Sequence, residues 1–126
     1  SVGSVWALCR LFSLDATLTA SLLPKSVTTA IAVPISEQNG GIPQITIVAL
    51  MIAGTLGAVL APSLSKWFHL EDNEVATGLA TGCASHAAGT STAVKMSETV
   101  GAMSGLAIGV CGIFTVILAI FFKYLL

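Results

Sequence analysis

Two long stretches of the chain are apolar and free of charge. Residues 38–65 and residues 99–122 contain no Asp, Glu, Lys or Arg. Within the first stretch, residues 42–61 begin with a proline in the first turn and end before Pro62. The second stretch holds an apolar run over residues 102–122. Because about 20 helical residues cover the roughly 30 Å hydrocarbon core of a bilayer, each run predicts a membrane-spanning helix.

The segments before and between these runs are shorter and more polar. Leucines recur every fourth residue within residues 13–23, which predicts a short amphipathic helix capped by Ser13 or Asp15 and interrupted by Pro24. Residues 63–75 hold four charged residues beside aromatic ones and therefore predict an exposed connector.

Two further patterns concern helix packing and the start of the chain. Glycine recurs every fourth residue at Gly101, Gly105 and Gly109, so these glycines are expected to face a closely packed neighbour. The opening stretch reaches Arg10 after nine residues, which are too few to cross a bilayer. The chain is therefore expected to begin inside a helix.

Residues 24–41 and residues 75–98 resemble neither a spanning helix nor a loop. Fifteen of the twenty residues 75–94 are Gly, Ala, Ser or Thr, and none of the twenty is charged. Such small side chains leave the backbone thinly covered and easily approached. Helix packing explains part of this composition but does not explain His86, so we expect function to reside in these two segments.

The two segments also resemble each other. A shift of 61 positions aligns residues 28–41 with residues 89–102 and gives six identities in fourteen positions. The apolar run follows each copy, so the repeats cover about residues 24–61 and 85–122. Repeats of an interrupted segment and a full helix build the midplane substrate sites of many transporters. Shared small-residue composition is the alternative explanation, and the sequence does not decide whether the copies are inverted or parallel.

Each copy carries hydroxyl residues before a short apolar stretch that ends at Ser-Glu and Gly. Hydroxyls cap helix N-termini, and glycine ends helices, so the pattern predicts a half-helix that begins within the membrane. The exposed N–H groups of such an end attract anions. A basic residue precedes the hydroxyls in each copy, Lys25 before Thr28-Thr29 and His86 before the run Thr90 to Thr92.

Simpler roles are open for the ionisable residues. Lys25 can extend its amine to the membrane interface, and His86 can hydrogen-bond a backbone carbonyl. Glu37 and Glu98 follow the half-helices and are either headgroup-level residues or proton-coupling carboxylates, and we favour the interfacial role.

Composition narrows the class of protein. The chain is 55% hydrophobic and 9% charged, with a mean hydropathy of +0.93. These values predict an all-α integral membrane domain. A net charge of −1 with scattered basic residues disfavours nucleic acid as a partner. The three cysteines have no metal-type spacing and are predicted to be packing residues. No catalytic triad, metal cluster or phosphate loop occurs, so an enzyme or a bound cofactor is not expected.

Three sequence stretches resemble the LrgB/CidB family closely. They are LLPKSVTTAIAVPISEQNGGIP at residues 22–43, GLATGCASHAAGTSTAV at residues 78–94 and GAMSGLAIGVCGI at residues 101–113. The L-P-K-S-V-T-T and G-x-x-S-H-x-x-G-T motifs occur in the family's order, and the resemblance covers essentially the whole chain. Many members have proline after the threonine pair, where this chain has Ala30.

The resemblance implies a multi-pass protein of the bacterial inner membrane, or less readily of the plastid envelope. Members are longer at the N-terminus, so this chain is expected to be a truncated single domain. The family is described as carriers of small monocarboxylates such as pyruvate, glycolate or glycerate, and as holin-like or antiholin-like modulators of murein hydrolases that act with a small LrgA/CidA partner. Because paired half-helices suit a carrier, we favour carriage, with a homo-oligomer possible. The residues expected to bind substrate are Lys25, Ser26, Thr28, Thr29, Ser85, His86, Thr90, Ser91 and Thr92.

Overall fold

The computed structural model describes residues 2–70 and 72–125, the last four of these by their backbone alone. The described part is helical and contains no β-strand, which confirms the all-α prediction. Its six helices are α1 (Val2–Leu11), α2 (Ala16–Leu22), α3 (Thr29–Gln38), α4 (Pro43–Trp67), α5 (Glu74–Met96) and α6 (Glu98–Leu125).

Helices α4 and α6 contain the two predicted spans. Both are long and apolar enough to cross a membrane. The 25 residues of α4 extend about 37 Å at about 1.5 Å per residue, which exceeds the hydrocarbon thickness of about 30 Å. Large apolar side chains such as Met51, Val59 and Ile113 are more than half exposed on these helices. Lipid is the environment that accommodates such surfaces without a penalty.

The ends of both helices differ from the predicted ones. Pro62 lies inside α4, which continues for five residues to Trp67. A proline removes one donor from the hydrogen-bond ladder, and here the ladder continues past it. Helix α6 begins at Glu98 rather than at residue 102, because the Ser97 hydroxyl accepts a hydrogen bond from the Val100 N–H at 3.2 Å. The predicted connector over residues 63–75 is therefore too long.

The chain divides into two compact units. One contains the residues up to Met51 together with those from Gly112 onward, and the other contains Ile52–Cys111. We call them unit 1 and unit 2. These bounds do not coincide with the predicted repeat copies at residues 24–61 and 85–122, and the repeat stays a prediction.

Unit 1 has an apolar core between its short helices. Val5 and Cys9 of α1 pack with Leu23 and Ile35, and each of the four is less than one tenth exposed. Such close packing stabilises a fold through many van der Waals contacts, each worth about 0.1–0.2 kcal/mol. Cys9 therefore packs in the core, as predicted for it.

A cluster of buried hydroxyl groups joins α2, α3 and α4 within unit 1. Thr46 Oγ1 lies 2.8 Å from the Ser21 carbonyl oxygen and 2.8 Å from Ser36 Oγ. The Ile42 N–H donates to Ser21 Oγ at 2.7 Å. Gly41 is enclosed by the same groups, because an added Cβ would lie 2.5 Å from Ser36 Oγ. These hydrogen bonds satisfy polar groups that lipid could not.

Unit 2 is packed through glycines on α4 and α5. A Cβ added at Gly78 would meet the Val100 carbonyl oxygen at 2.6 Å, and one added at Gly82 would strike the backbone of Ser104. A Cβ at Gly57 would strike Ser85. The helix backbones therefore approach closely at these three points, as small residues allow.

The predicted glycine face of α6 is only partly correct. Gly101 packs against Val94, but a Cβ at Gly105 or Gly109 would meet no atom within 4 Å. Apart from Gly101, the glycines at the close contacts of α6 with α5 belong to α5, so the prediction for Gly105 and Gly109 is wrong within the described residues. The physical reason is that a spacing of four residues marks a helix face without identifying which neighbour it meets.

Cys83 of α5 and Cys111 of α6 provide a test of this packing. Their sulfur atoms lie 3.2 Å apart, although the sequence indicated no pairing. We expect copper phenanthroline to join them in a disulfide within one chain, because two thiols this close need little movement to reach bonding distance. Mass spectrometry of peptides from non-reduced protein would detect the link. Cys9, which is buried in unit 1, is the control that stays unlinked, and a free Cys83 after oxidation would contradict the packing.

Candidate functional site

The first interrupted segment connects α2 to α3 in unit 1. Helix α2 is capped by Asp15, whose side chain accepts from the Leu18 N–H at 3.0 Å, so Asp15 rather than Ser13 is the cap. The chain leaves helical structure after Leu22 and re-enters it at Thr29. The interruption lies where Pro24 and the following hydroxyls indicated it. Lys25 is half-buried in this turn.

The hydroxyl groups of this segment do not cap α3. Thr28 occupies the N-cap position with extended backbone, but its side chain makes no capping hydrogen bond. Ser26 is buried and Thr29 is exposed. The prediction of hydroxyl capping is therefore wrong at Thr28. The Thr28 hydroxyl accepts no hydrogen bond from the N–H groups in the first turn of α3.

The far end of α3 agrees with the prediction that glycine ends it. Gly40 has a φ of 75°, and the Gly41 N–H donates to the Ser36 carbonyl at 2.8 Å. The Gly40 N–H donates to the Glu37 carbonyl at 3.1 Å. These two bonds form a Schellman motif, whose left-handed position suits glycine. Glu37 is exposed just before this end.

The second interrupted segment is α5, whose backbone leaves helical geometry at His86. His86 has φ 49° and ψ −136°, so two helical halves meet there at a kink. A residue with a Cβ adopts this conformation at a cost of about 1–3 kcal/mol. The interruption again lies within the predicted range, and His86 itself is only 5% exposed.

The threonine and serine residues after His86 do not cap the second half of α5. The Thr90 hydroxyl donates to the His86 carbonyl at 2.9 Å. Ser104 Oγ lies 2.7 Å from Thr90 Oγ1. The Ser91 hydroxyl donates to the Ala88 carbonyl at 2.7 Å. The helix resumes directly after His86, so these hydroxyls lie a full turn inside it, beside carbonyls rather than free N–H groups. The predicted capping by Thr90, Ser91 and Thr92 is therefore wrong.

Ser85, next to the kink, lines a cavity within unit 2. The cavity has a volume of about 180 Å³ and lies between α4, α5 and the connector that joins them. Its polar side chains include Ser65 and Ser85, which are 4% and 1% exposed. Neither hydroxyl has a hydrogen-bond partner among the described residues.

The predicted binding residues thus form two local groups. Lys25, Ser26, Thr28 and Thr29 lie in unit 1, whereas Ser85 and the residues after it lie in unit 2. Their convergence on one substrate stays a prediction. Glu98 is exposed in the first turn of α6, where a carboxylate is favourable to the helix dipole. Among the described residues no three His, Cys, Asp or Glu side chains are grouped to hold a metal.

Sequence reasoning did not identify two polar residues at this site. Ser104 contacts Thr90 from the middle of an apolar run, and Ser65 lies in the segment interpreted as a loop. Ser104 could have been found from the sequence as a hydroxyl within a charge-free helix, because a hydroxyl in the membrane needs a hydrogen-bond partner within the protein.

Comparisons with known proteins identify the family. The model of the LrgB-like family matches residues 1–125. The uncharacterized protein YxaC of Bacillus subtilis (strain 168) is 40% identical over 102 residues, which are 81% of this chain and 44% of that protein. The antiholin-like protein LrgB of Bacillus mycoides (strain KBAB4) is 38% identical over 117 residues, or 93% of this chain and 50% of that protein.

Other relatives agree with this result. The antiholin-like protein LrgB of Bacillus cereus (strain B4264) gives the same 38% identity over 117 residues. The chain spans about half the length of these curated relatives, and no solved structure matches it. Together with the two membrane-capable helices, the family match makes this a membrane protein. The chain belongs to the LrgB-like family.

Proposed function

We propose that this chain is part of a multi-pass bacterial inner-membrane protein that carries small monocarboxylates of the pyruvate or glycolate kind. The observation that supports the proposal most is the interruption of α5 at His86, with a buried imidazole and buried hydroxyls beside it. Irregular backbone is tolerated at membrane depth where it lines a cavity or a path for solute. An ordinary spanning helix has no need of this conformation.

The order of elements supports an internal repeat. In unit 1, α2, a break and α3 are followed by a turn and the long helix α4. The two halves of α5 about His86 are likewise followed by a turn at Ser97 and by the long helix α6. We propose that two copies of this arrangement bring their half-helices to a shared site, as in other repeat transporters.

The chemistry of the two breaks suits a carboxylate. An anion taken out of water needs donors and positive potential, which N–H groups at helix starts supply together with Lys25 and His86. Helix ends contribute about 0.3–1 kcal/mol each, and up to about 2 when partly buried. Residues 24–41 and 75–98 contain no Arg, so no bidentate clamp would hold the substrate too tightly for release.

Uptake by liposomes that contain the full-length protein tests this function. We expect saturable uptake of radiolabelled pyruvate or glycolate, and a several-fold fall in the Thr29→Val, Thr90→Val double variant, because both changes remove hydroxyls beside the breaks and keep side-chain shape. Thr55→Val is the matched control, since Thr55 is exposed on α4 and belongs to neither interrupted segment. Unchanged uptake kinetics in the double variant would reject the role of the breaks in binding.

The second candidate is an antiholin-like function exerted with a small LrgA/CidA-type membrane partner, which would modulate murein hydrolase activity and lysis. The antiholin-like names of the LrgB relatives support this function more directly than they support carriage. Autolysis measured in cells that lack the protein, and in cells complemented with it, tests this candidate. Restoration of normal lysis by a variant that no longer carries pyruvate would separate the two functions in favour of the antiholin-like one.

A further inference from the structure

The kink at His86 divides α5 into two arms. We call residues 74–85 the first arm and residues 87–96 the second arm. At about 1.5 Å per residue the arms extend about 18 Å and 15 Å, so each reaches only about half-way across a hydrocarbon core of about 30 Å. Arms in one line would cross the membrane, whereas arms folded back on each other would return to the same face. The contacts of α5 decide between these two courses.

The first arm runs in the same direction as α6. A Cβ added at Gly78 would lie 2.6 Å from the Val100 carbonyl oxygen. One turn further along α5, a Cβ added at Gly82 would lie 2.9 Å from the Ala107 Cβ. The contacts of this arm therefore advance along α6 as the chain advances along α5.

The second arm runs in the opposite direction along the same part of α6. Thr90 Oγ1 lies 2.7 Å from Oγ of Ser104, whose backbone a Cβ on Gly82 would strike. One turn later, a Cβ added at Gly101 would lie 2.7 Å from Val94 Cγ2. The contacts of this arm retreat along α6 as the chain advances, so the second arm returns past the residues that the first arm meets.

A contact between the two arms agrees with this reversal. A Cβ added at Gly89 would lie 3.1 Å from Thr81 Cγ2. In a straight helix these two positions would lie about 12 Å apart along the axis. The second arm therefore passes back beside the first, and α5 is a helical hairpin with its tip at Ser85 and His86.

The tip of this hairpin lies level with the middle of α4. A Cβ added at Gly54 would lie 3.5 Å from the Ser85 carbonyl oxygen, and one added at Gly57 would strike the Ser85 side chain. Both glycines are near the centre of α4. The open end of the hairpin lies beside the end of α4, because the Thr77 hydroxyl donates to the Leu70 carbonyl at 2.8 Å. The hairpin thus extends from the end of α4 to about its middle.

The first interrupted segment makes the same reversal against α4 within unit 1. Before the break, the Ser21 carbonyl accepts from Thr46 Oγ1 at 2.8 Å. In the break, Val27 shares an apolar cluster with Leu50, which is one turn further along α4. After the break, Ser36 Oγ again lies 2.8 Å from Thr46 Oγ1. This segment is therefore also a hairpin, and it opens where α4 begins.

Equivalent contacts occur at the predicted repeat offset of 61 positions. Ser21 and Thr46 of the first copy correspond to Gly82 and Ala107 of the second. Each pair joins the helix before a break to the long helix after it. Small-residue composition alone does not explain a shared contact of this kind, so the contacts support the repeat.

We infer that both interrupted segments are re-entrant hairpins and that the two copies are inverted. Each hairpin enters and leaves the membrane at one face, so each copy crosses the membrane once, through its long helix. Because one hairpin opens where α4 begins and the other where α4 ends, they open at opposite faces. His86 then lies at mid-membrane, the depth at which repeat transporters bind substrate. The inference rests on the repeat of the proposed carrier but not on carriage itself, because sidedness is measured without transport.

The inverted order assigns the two repeated carboxylates to different membrane faces. Glu37 is exposed near the end of α3, beside the opening of the first hairpin, and Glu98 is exposed just after the second hairpin. Each carboxylate therefore exchanges protons with a different aqueous phase. They do not form one proton-coupling pair, and positions at headgroup level are the role that this order favours.

Labelling of single cysteines from one side of the membrane tests this topology. In the full-length protein every native cysteine is replaced by alanine, and one new cysteine is introduced at a time. The four positions are exposed residues at the hairpin openings, Ala16 and Gln38 for the first hairpin and Asp72 and Thr99 for the second. A membrane-impermeant maleimide is added to right-side-out and to inverted membrane vesicles.

The inference predicts which vesicles each variant labels in. We expect Asp72→Cys and Thr99→Cys to label in one vesicle type and not in the other. Ala16→Cys and Gln38→Cys are expected to label only in the opposite type. The reason is that each pair flanks one hairpin, and the two hairpins open at opposite faces.

Ile113→Cys is the matched control for a thiol inside the membrane. Ile113 is exposed on α6 well within its apolar run, and a thiol in hydrocarbon does not form the reactive thiolate. This variant is expected to stay unlabelled in both vesicle types until detergent dissolves them. If a variant at the second opening does not insert, Glu74→Cys or Lys95→Cys replaces it, since both residues are exposed beside that opening.

Two labelling patterns would overturn the inference. Labelling of the two cysteines of one hairpin from opposite faces would mean that the segment between them crosses the membrane. Labelling of all four variants from one face would mean that the copies are not inverted. Pyruvate uptake measured on the same variants separates the two proposals. Its absence together with the expected labelling would reject carriage alone, and uptake together with either contrary pattern would reject the inverted hairpins alone.

Discussion

Gly82→Ala is expected to lower the stability of unit 2 by about 2 kcal/mol, although alanine is ordinarily the better residue in a helix. Gly82 lies on α5 where it crosses α6, and an added Cβ would strike the Ser104 backbone and lie 2.9 Å from the Ala107 Cβ. A backbone atom cannot rotate aside as a side chain can, so the helices must separate. Overpacking of this kind typically costs 1–3 kcal/mol and occasionally more, against about 1 kcal/mol gained in helix propensity.

Gly105→Ala is the matched control for this prediction. Gly105 is a helical glycine of α6 around which a Cβ would meet no atom within 4 Å. The change is expected to be neutral or slightly stabilising, because only the propensity gain remains. The measurement is the temperature at which half of the full-length protein in detergent loses its monodisperse chromatographic peak. An unchanged midpoint in Gly82→Ala would contradict the crossing of α5 and α6.

The periodicity of the sequence predicted the long helices because their physics is local. A charge-free run of 20 residues must satisfy its own backbone, and a helix does so without any partner. The predicted ends of these helices were less accurate, because each end depends on individual hydrogen bonds rather than on the apolar pattern. Pro62 ends helices on average, but here the ladder continues to Trp67, and the capping bond of Ser97 decides the start of α6.

The positions of the breaks were also predictable, whereas their chemistry was not. Small residues around His86 indicated a weak point in α5, and the backbone leaves helical geometry there. Which hydroxyl meets which group depends on the register of the break to within one residue. Thr90 therefore donates to the His86 carbonyl rather than capping a helix, and the sequence could not distinguish these roles.

Contacts between distant segments were the least accessible to sequence reasoning. The pairing of Cys83 with Cys111, and of Thr90 with Ser104, depends on how two helices cross. The cavity lined by Ser65 and Ser85 depends in the same way on how α4 crosses α5. Sequence periodicity identifies the face of a helix, but the neighbour and its height along the axis follow from packing.

Replacing His86 separately by glycine and by alanine is expected to reverse the usual order of stability of these two residues. In a continuous helix, the alanine variant would be more stable by about 1 kcal/mol. At a φ of 49°, glycine is favoured because it has no Cβ, and the cost avoided is about 1–3 kcal/mol. Both variants lose the imidazole, so their difference reports the conformation at residue 86 alone. The midpoint of thermal unfolding in detergent measures it.

Uptake by the same two variants separates the conformational role of His86 from the chemical one. His86→Gly preserves the break but removes the proposed basic group, so we expect it to remain folded and to take up pyruvate about tenfold more slowly, which corresponds to about 1.4 kcal/mol. His86→Ala loses the imidazole and also favours a continuous α5, and its uptake is expected to fall further. Full uptake by His86→Gly would show that the break suffices without the imidazole. An alanine variant more stable than the glycine variant would show that residue 86 is helical, and the interrupted segment would have to be abandoned as the basis of carriage.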